Sequence, residues 1–492
     1  MKEAKTANEN EKEHMRFKGS IGYNYIMNTI IQGSAYILPL IVNPYVSGIL
    51  GPEGMGKVSF VTAVLSYFTI LAVLGVPTYG VREVSKVKGD REKVSRTVYE
   101  ILNINLIMGF LTYLCFFIYV LISSGMTEYR ELLLVMSPTV LLNIIGLDWM
   151  YKGLEEFSVI AVRNVIIKAI AIGMIFVCIR DKEDLILYGL LTVCAAYGSN
   201  LWNFLGKKRY ICKPKREKRE IRKHIMPVLI FFSMTVATTI YTNLDMVMLG
   251  TMKNDYEAGI YDAASKLKII LVSAVSSLGT VLLPRVTALV NQGKMDEFRR
   301  ISRHALALII IFSFSLAVYF EVNAESLIGL FSGKAFDDAV PVLRVLVPTI
   351  ILIGITNITG IQMLIPLGRE KVVLASEIAG AIVDLLINMI LIPQYGALGA
   401  AIGTLIAELI VFFIQAASAD YVRKILCSIQ FCKIGFSGIT AGILMLLFGN
   451  CINNVIWKLL CSGILFYLLY GALLFIMRER ECRWILEKIK YK

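Results

Sequence analysis

Runs of apolar residues about twenty long, broken by short charged connections, recur from one end of this chain to the other. They decide its solvent before any motif is considered. A helix needs roughly 20 apolar residues to cross a hydrocarbon layer of about 30 Å, and in that layer its backbone groups must be satisfied internally. Spans are expected near residues 21 to 43, 57 to 77, 98 to 122, 131 to 151, 157 to 179 and 184 to 205. Six more follow near 225 to 250, 259 to 283, 304 to 322, 340 to 364, 372 to 393 and 396 to 417, then two near 434 to 452 and 457 to 477. With 57% of residues hydrophobic and 18% charged, little is left to wet a soluble domain. The expected fold class is an all-α polytopic membrane protein of about fourteen transmembrane helices.

The connections order these spans. A polar N-terminus (1–18) has no apolar core or small-residue cleavage site, so the first span is expected to act as the targeting signal. A six-helix lobe (19–206), a basic linker (207–223), a second six-helix lobe (224–418), two extra helices (419–477) and a basic tail (478–492) complete the expected organisation. The stretch from Arg82 to Arg96 carries six basic residues and that from Lys207 to Lys223 carries ten, against at most two in each alternate loop. Basic loops stay in the cytoplasm, so both termini are expected there, in a cell (plasma or inner) membrane. Two lobes of like orientation predict parallel repeats with pseudo-two-fold symmetry and a cavity between them. Gly56, Gly75, Pro77 and Arg82 in the first half echo Gly259, Gly279, Pro284 and Arg285 in the second.

Several chemistries are excluded. The net charge of +13 lies in short runs between apolar segments, which argues for topology and against nucleic acid. Nine cysteines without a CxxC pair, and only His14, His224 and His304, predict no metal site and no cofactor. Gly51 to Lys57, GPEGMGK, imitates a phosphate loop, but Val58 stands where Ser or Thr is required and no strand precedes it. No catalytic constellation emerges, and the longest connections are too short to build one, so the chain is not expected to be an enzyme.

Charges inside the spans carry the functional signal, because each costs about 3 kcal/mol to insert and faces a cavity or a partner. The cations are Arg163 and Lys168 in the fifth span and Lys266 and Lys268 in the eighth, with Arg82 at the end of the second. The acids are Asp245, Asp262, Glu377, Asp384 and Glu408. Asp262 and Lys266 stand four apart with the acid first, the favourable order for a pair on one helix; Asp245 is an alternative partner for Lys266. Lys168 has no acid at helical spacing and should meet water, an anion or a neighbouring helix. Glu377 and Asp384, seven apart and so near one helix face, are candidates for a coupling proton or sodium ion, or for hydrogen bonds to another helix. Arg82 reads as an anchor for lipid phosphates or as a substrate contact.

Six stretches together resemble one family: LGPEGMGKVSF (Leu50 to Phe60), LGVPTYGVREVS (Leu74 to Ser85), LDWMYKGLEEF (Leu147 to Phe157), NLDMVMLG (Asn243 to Gly250), AGIYDAASKL (Ala258 to Leu267) and IPQYGALGAAIGTLIAEL (Ile392 to Leu409). The chain resembles the Wzx-like polysaccharide biosynthesis flippases of the multidrug/oligosaccharidyl-lipid/polysaccharide exporter superfamily. The resemblance implies two six-helix lobes plus two helices, alternating access, and outward flipping of an undecaprenyl-diphosphate-linked oligosaccharide through the phospholipid bilayer. Polysaccharide polymerase and assembly proteins are the partners such a flippase would meet. A drug or cation antiporter of the same superfamily, a lipid II flippase, and a non-transporting component of a polysaccharide assembly complex are the alternatives. The cations in the fifth and eighth spans argue against cationic cargo.

Overall fold

The computed structural model describes residues 21–212, 220–280, 282–418, 420–427, 429–449, 452 and 454–481. They are helical, with no strand among them. Contacts divide the chain into two compact units. Unit 1 holds the residues up to Leu50 together with Lys57–Val247, and unit 2 holds Gly51–Gly56 together with the residues from Met248 onward. The division falls inside two helices rather than in the basic linker.

In unit 1 the long α1 (Ile21–Val73) is followed by α2 (Val76–Val87) and α3 (Arg91–Ile122). The short α4 (Arg130–Met136), α5 (Pro138–Ile144) and α6 (Asp148–Gly153) make a broken span. After them come α7 (Phe157–Cys178), α8 (Leu185–Gly206) and most of α9 (Arg222–Met252). Asp90 starts α3 by accepting hydrogen bonds from the backbone N–H groups of Glu92 and Lys93. A buried cluster including Tyr79, Val84, Val98, Ile101, Trp149, Tyr151, Ile160 and Val228 ties α2, α3, α6, α7 and α9 together. Burial of each large apolar side chain contributes roughly 1.5–3 kcal/mol. Glycine lets the helices close: a methyl group on Gly80 would lie 2.3 Å from the Trp149 ring.

Unit 2 continues with α10 (Asp255–Thr280), α11 (Leu283–Asn291), α12 (Met295–Val322), α13 (Ala324–Phe331) and α14 (Ala339–Thr356). The stretch Asn357–Leu364 winds as a wider π-helix, with the N–H of Ile365 reaching back to the carbonyl of Gly360. It is held by Thr359, which donates to Gln415 Oε1 at 2.7 Å, while Gln415 donates to Ser376 at 3.2 Å. Then α15 (Glu370–Tyr395) turns at Gly396, where φ is 56°, into α16 (Ala397–Ala417). Glu257 caps that turn by accepting the N–H of Ala397 at 2.7 Å, a carboxylate at a helix N-terminus where the dipole favours it. The short α17 (Asp420–Cys427) precedes the pair α18 (Phe431–Gly449) and α19 (Val455–Ile476).

Eleven stretches among the described residues are long and apolar enough to cross a membrane. The first covers residues 26–87 and contains the bend at Gly51, whose φ of 67° and ψ of −177° are glycine geometry. The helices α9 and α10, at 31 and 26 residues, also exceed the length a span needs. The glycine-rich GPEGMGK is therefore a helix bend and a helix start. Its Gly56 packs on the backbone of α10 rather than curling around a phosphate.

Candidate functional site

In unit 1 the two cations of α7 have different surroundings. Lys168 lies eleven residues into the helix, about 17 Å at 1.5 Å per residue. Its ammonium donates to Ser34 Oγ on α1 at 3.0 Å. Ser34 in turn is within hydrogen-bond distance of the Ile31 carbonyl (2.7 Å) and Asn164 Oδ1 (3.2 Å). Among the described residues no carboxylate stands within ion-pair distance of Lys168. One hydroxyl answers one of three N–H donors, so a half-buried positive charge is left uncompensated near mid-span.

Arg163 is instead held in a clamp. Its guanidinium donates to Asn203 Oδ1 at 3.0 Å and to the Tyr151 hydroxyl at 3.2 Å. It also lies 5.5 Å from the Tyr151 ring centroid and 5.9 Å from that of Trp202. Asn203 passes the link on by donating to Asp148 at 2.7 Å. Gly206 makes room, since a methyl group there would meet the guanidinium at 2.7 Å. This cation joins α6, α7 and α8. Arg82 is exposed on α2, and Asp245 is buried on α9.

A second polar knot in unit 1 lies outside the residues singled out from the sequence. Glu100, fully buried on α3, accepts from Arg96 Nε (3.1 Å), Lys223 Nζ (3.2 Å), His224 Nε2 (3.0 Å) and the backbone N–H of Glu220 (2.9 Å). A carboxylate only accepts, so Nε2 of His224 carries its proton. In the neutral ring Nδ1 then accepts from the Tyr79 hydroxyl, 2.6 Å away. The knot joins α2, α3 and α9. The Arg96–Glu100 spacing of four, with an acid just inside an apolar run, is its one signal in the sequence.

In unit 2 Asp262 and Lys266 form the helical pair, 2.5 Å apart on α10. Lys268, half-buried two residues on, has no carboxylate within ion-pair distance among the described residues. The α15 acids separate: Asp384 is 1% exposed, whereas Glu377 is exposed. Asp384 and Asn388 face Gly403 of α16, where a methyl group would meet Asn388 Oδ1 at 2.2 Å and Asp384 Oδ1 at 3.0 Å. One turn further along α16, Glu408 is buried, and Thr404 lies 3.1 Å from the Tyr261 hydroxyl. No group of three His, Cys, Asp or Glu able to hold a metal occurs among the described residues.

Comparison with known proteins gives concordant results. The family described as "Polysaccharide biosynthesis protein" matches residues 21–290, more than half of the chain, and the MatE family matches residues 230–390. The "Putative O-antigen transporter" of Escherichia coli K12 is 22% identical over 397 residues, 80% of this chain and 95% of that protein. The "Capsular polysaccharide biosynthesis protein CapF" of Staphylococcus aureus is 21% identical over 374 residues, 73% of this chain and 89% of its own. Among solved structures, the lipid II flippase MurJ in an inward closed conformation aligns with a TM-score of 0.68, covering 93% of this chain and 99% of that one at 16% identity. An inward-facing multidrug-resistance MATE transporter of the MOP superfamily aligns at 0.64, covering 81% and 94% at 16% identity. At such identities the structural likeness establishes the fold.

Proposed function

Because this chain belongs to the polysaccharide biosynthesis protein family, we propose that it is a flippase. Its cargo is a polyprenyl-diphosphate-linked oligosaccharide, carried from the cytoplasmic to the outer leaflet by alternating access. The observation that carries the reading is Lys168, a mid-span ammonium with a serine but no carboxylate beside it among the described residues. Such a charge is costly in lipid and is offset when an anionic cargo enters.

A diphosphate and its sugars cannot cross about 30 Å of hydrocarbon unaided, because their polar groups would lose their water partners. A wet interior with a fixed cation replaces part of that hydration at the diphosphate, while the polyprenyl tail stays in lipid. Lys268 is a second half-buried cation, in unit 2, and its lack of an ion pair among the described residues disfavours a cationic cargo. With the cell interior negative, the membrane potential favours outward movement of an anion by about 2.3 kcal/mol per charge per 100 mV. Export then requires no nucleotide. Both termini are cytoplasmic in this reading, and Asp384, with Glu377 on the same helix, is the candidate for a coupling proton or sodium ion.

The test is reconstitution of the whole protein in liposomes with a fluorescent polyprenyl-diphosphate oligosaccharide, comparing wild type with Lys168→Ala. Leaflet exchange without ATP that falls in the variant supports the reading. No exchange in either protein, despite native folding and an imposed potential, rejects it.

A further inference from the structure

Away from the interior charges, unit 2 contains a cavity of about 930 Å³. It lies between the early turns of α12, the residue that precedes α15, the end of α16 and the short α17. Five cationic side chains line it: Arg299, Arg300, Arg303, Arg369 and Lys424. The carboxylates that answer them are few. Asp296 lies 3.8 Å from Arg299, and Glu481 lies 3.8 Å from Arg303 while also binding His304. Arg300 and Lys424 have no carboxylate within ion-pair distance among the described residues. Arg369 donates to the Ser418 carbonyl at 2.9 Å and keeps its other N–H groups.

The cavity has a second, independent feature. The Tyr421 hydroxyl, which lines it, is sealed from solvent and has no hydrogen-bond partner among the described residues. A buried hydroxyl left unsatisfied costs about 1–3 kcal/mol, which an acceptor inside the cavity would recover. Burial holds the phenol above its ordinary pKa of 10.0, so it remains a donor at neutral pH. Guanidinium forks match phosphate oxygens in planar geometry, and a space this size takes more than one phosphate group. The α17 wall is amphipathic, with Val422, Ile425 and Leu426 buried against the protein and Lys424 exposed.

We propose that this cavity binds a phosphate-bearing anion, with Arg300 and Lys424 supplying uncompensated charge and Tyr421 donating its hydroxyl. The site shares no residue with the interior cations and does not depend on the transport reading. Its chemistry suits both the headgroup of an anionic phospholipid and a soluble polyphosphate.

The whole protein is placed in phosphatidylcholine nanodiscs containing a minor fraction of phosphatidylglycerol, and retained lipid is identified by native mass spectrometry. In parallel, pyrophosphate is titrated calorimetrically into protein held in phosphatidylcholine alone. Wild type is expected to retain phosphatidylglycerol preferentially or to bind pyrophosphate, and which of the two occurs assigns the source. The Arg300→Gln/Lys424→Gln double variant should bind about tenfold more weakly, equivalent to about 1.4 kcal/mol. Tyr421→Phe, which keeps ring and shape, should weaken binding by about threefold to tenfold and decides the matter if the double variant does not fold. Neither ligand binding to wild type, or unchanged binding in a folded variant, overturns the proposal.

Discussion

Gly56 and Gly259 meet backbone to backbone. A methyl group on Gly56 would lie 1.8 Å from the carbonyl oxygen of Asp255, and one on Gly259 would lie 1.9 Å from that of Pro52. The pairs Pro52/Asp255 and Gly56/Gly259 have the same sequence separation, so the contact is reciprocal, as a two-fold relation requires. Neither carbonyl can swing aside as a flexible side chain would. Gly56→Ala and Gly259→Ala should each therefore destabilise the protein by about 1–3 kcal/mol, as for an overpacked core, read as a lower thermal midpoint. An unchanged midpoint in both variants would mean that this contact is not made in the membrane.

Lys168 and Arg163 are neighbours on α7 with opposite expected phenotypes. Arg163→Ala removes the Asn203 and Tyr151 hydrogen bonds and the aromatic contacts, and should destabilise the protein by about 1–3 kcal/mol. Lys168→Ala should leave the thermal midpoint near wild type yet slow leaflet exchange by about tenfold, or about 1.4 kcal/mol. Melting curves and the liposome assay on the two variants separate these roles. A Lys168→Ala protein that melts early and flips normally would reverse the assignment.

Glu100 is the common acceptor for Arg96, Lys223 and His224. Glu100→Ala leaves their donors facing an apolar hole, at a cost of about 3–5 kcal/mol for a broken buried pair. Tyr79→Phe removes only the outermost hydrogen bond of the chain, at about 1 kcal/mol. Denaturation of both variants in the same detergent should show that order, and equal losses would contradict the relay.

Asp90, between two spans, has its carboxyl held below the ordinary value of 3.8, first by the backbone N–H of Lys93 and then by its side chain. A folded-state pKa that is depressed contributes stability above the unfolded value and loses it as pH falls through the folded one. The first turn of α3 should therefore fray below about pH 4, visible as faster amide hydrogen exchange at Glu92 and Lys93. Asp90→Asn keeps the cap and should abolish that pH dependence; persistence of the dependence in the variant would place its origin elsewhere.

Local features are the ones legible in the sequence. Hydrocarbon thickness converts directly into residues per span, so the helical, membrane-spanning character is plain from the apolar runs. The Asp262–Lys266 contact is legible because both residues sit on one helix. Lys168 is conspicuous for the acid it lacks, yet its serine partner is 134 positions away, beyond any periodic pattern. Glu100 and His224 stand 124 positions apart and share no pattern, the histidine looking like the mere start of a span. Glu377 and Asp384, seven apart and so near one face of α15, differ in burial: Asp384 is buried facing α16 whereas Glu377 is exposed, a difference that depends on the neighbouring helix and not on spacing. The basic cavity needs three separate chain segments to converge, which a linear charge count reports only as positive loops.

The wide turn from Asn357 to Leu364 has an effect that no contact records. Each extra residue taken up there lengthens the chain by only about 1.5 Å but rotates the next helix by about 100°. Deleting one residue would let ordinary helix form and would barely change the span. It would also turn Arg369 away from the Ser418 carbonyl that it reaches at 2.9 Å. The eight residues thus fix a phase between α14 and α15, and an insertion or deletion there acts as an angle before it acts as a length.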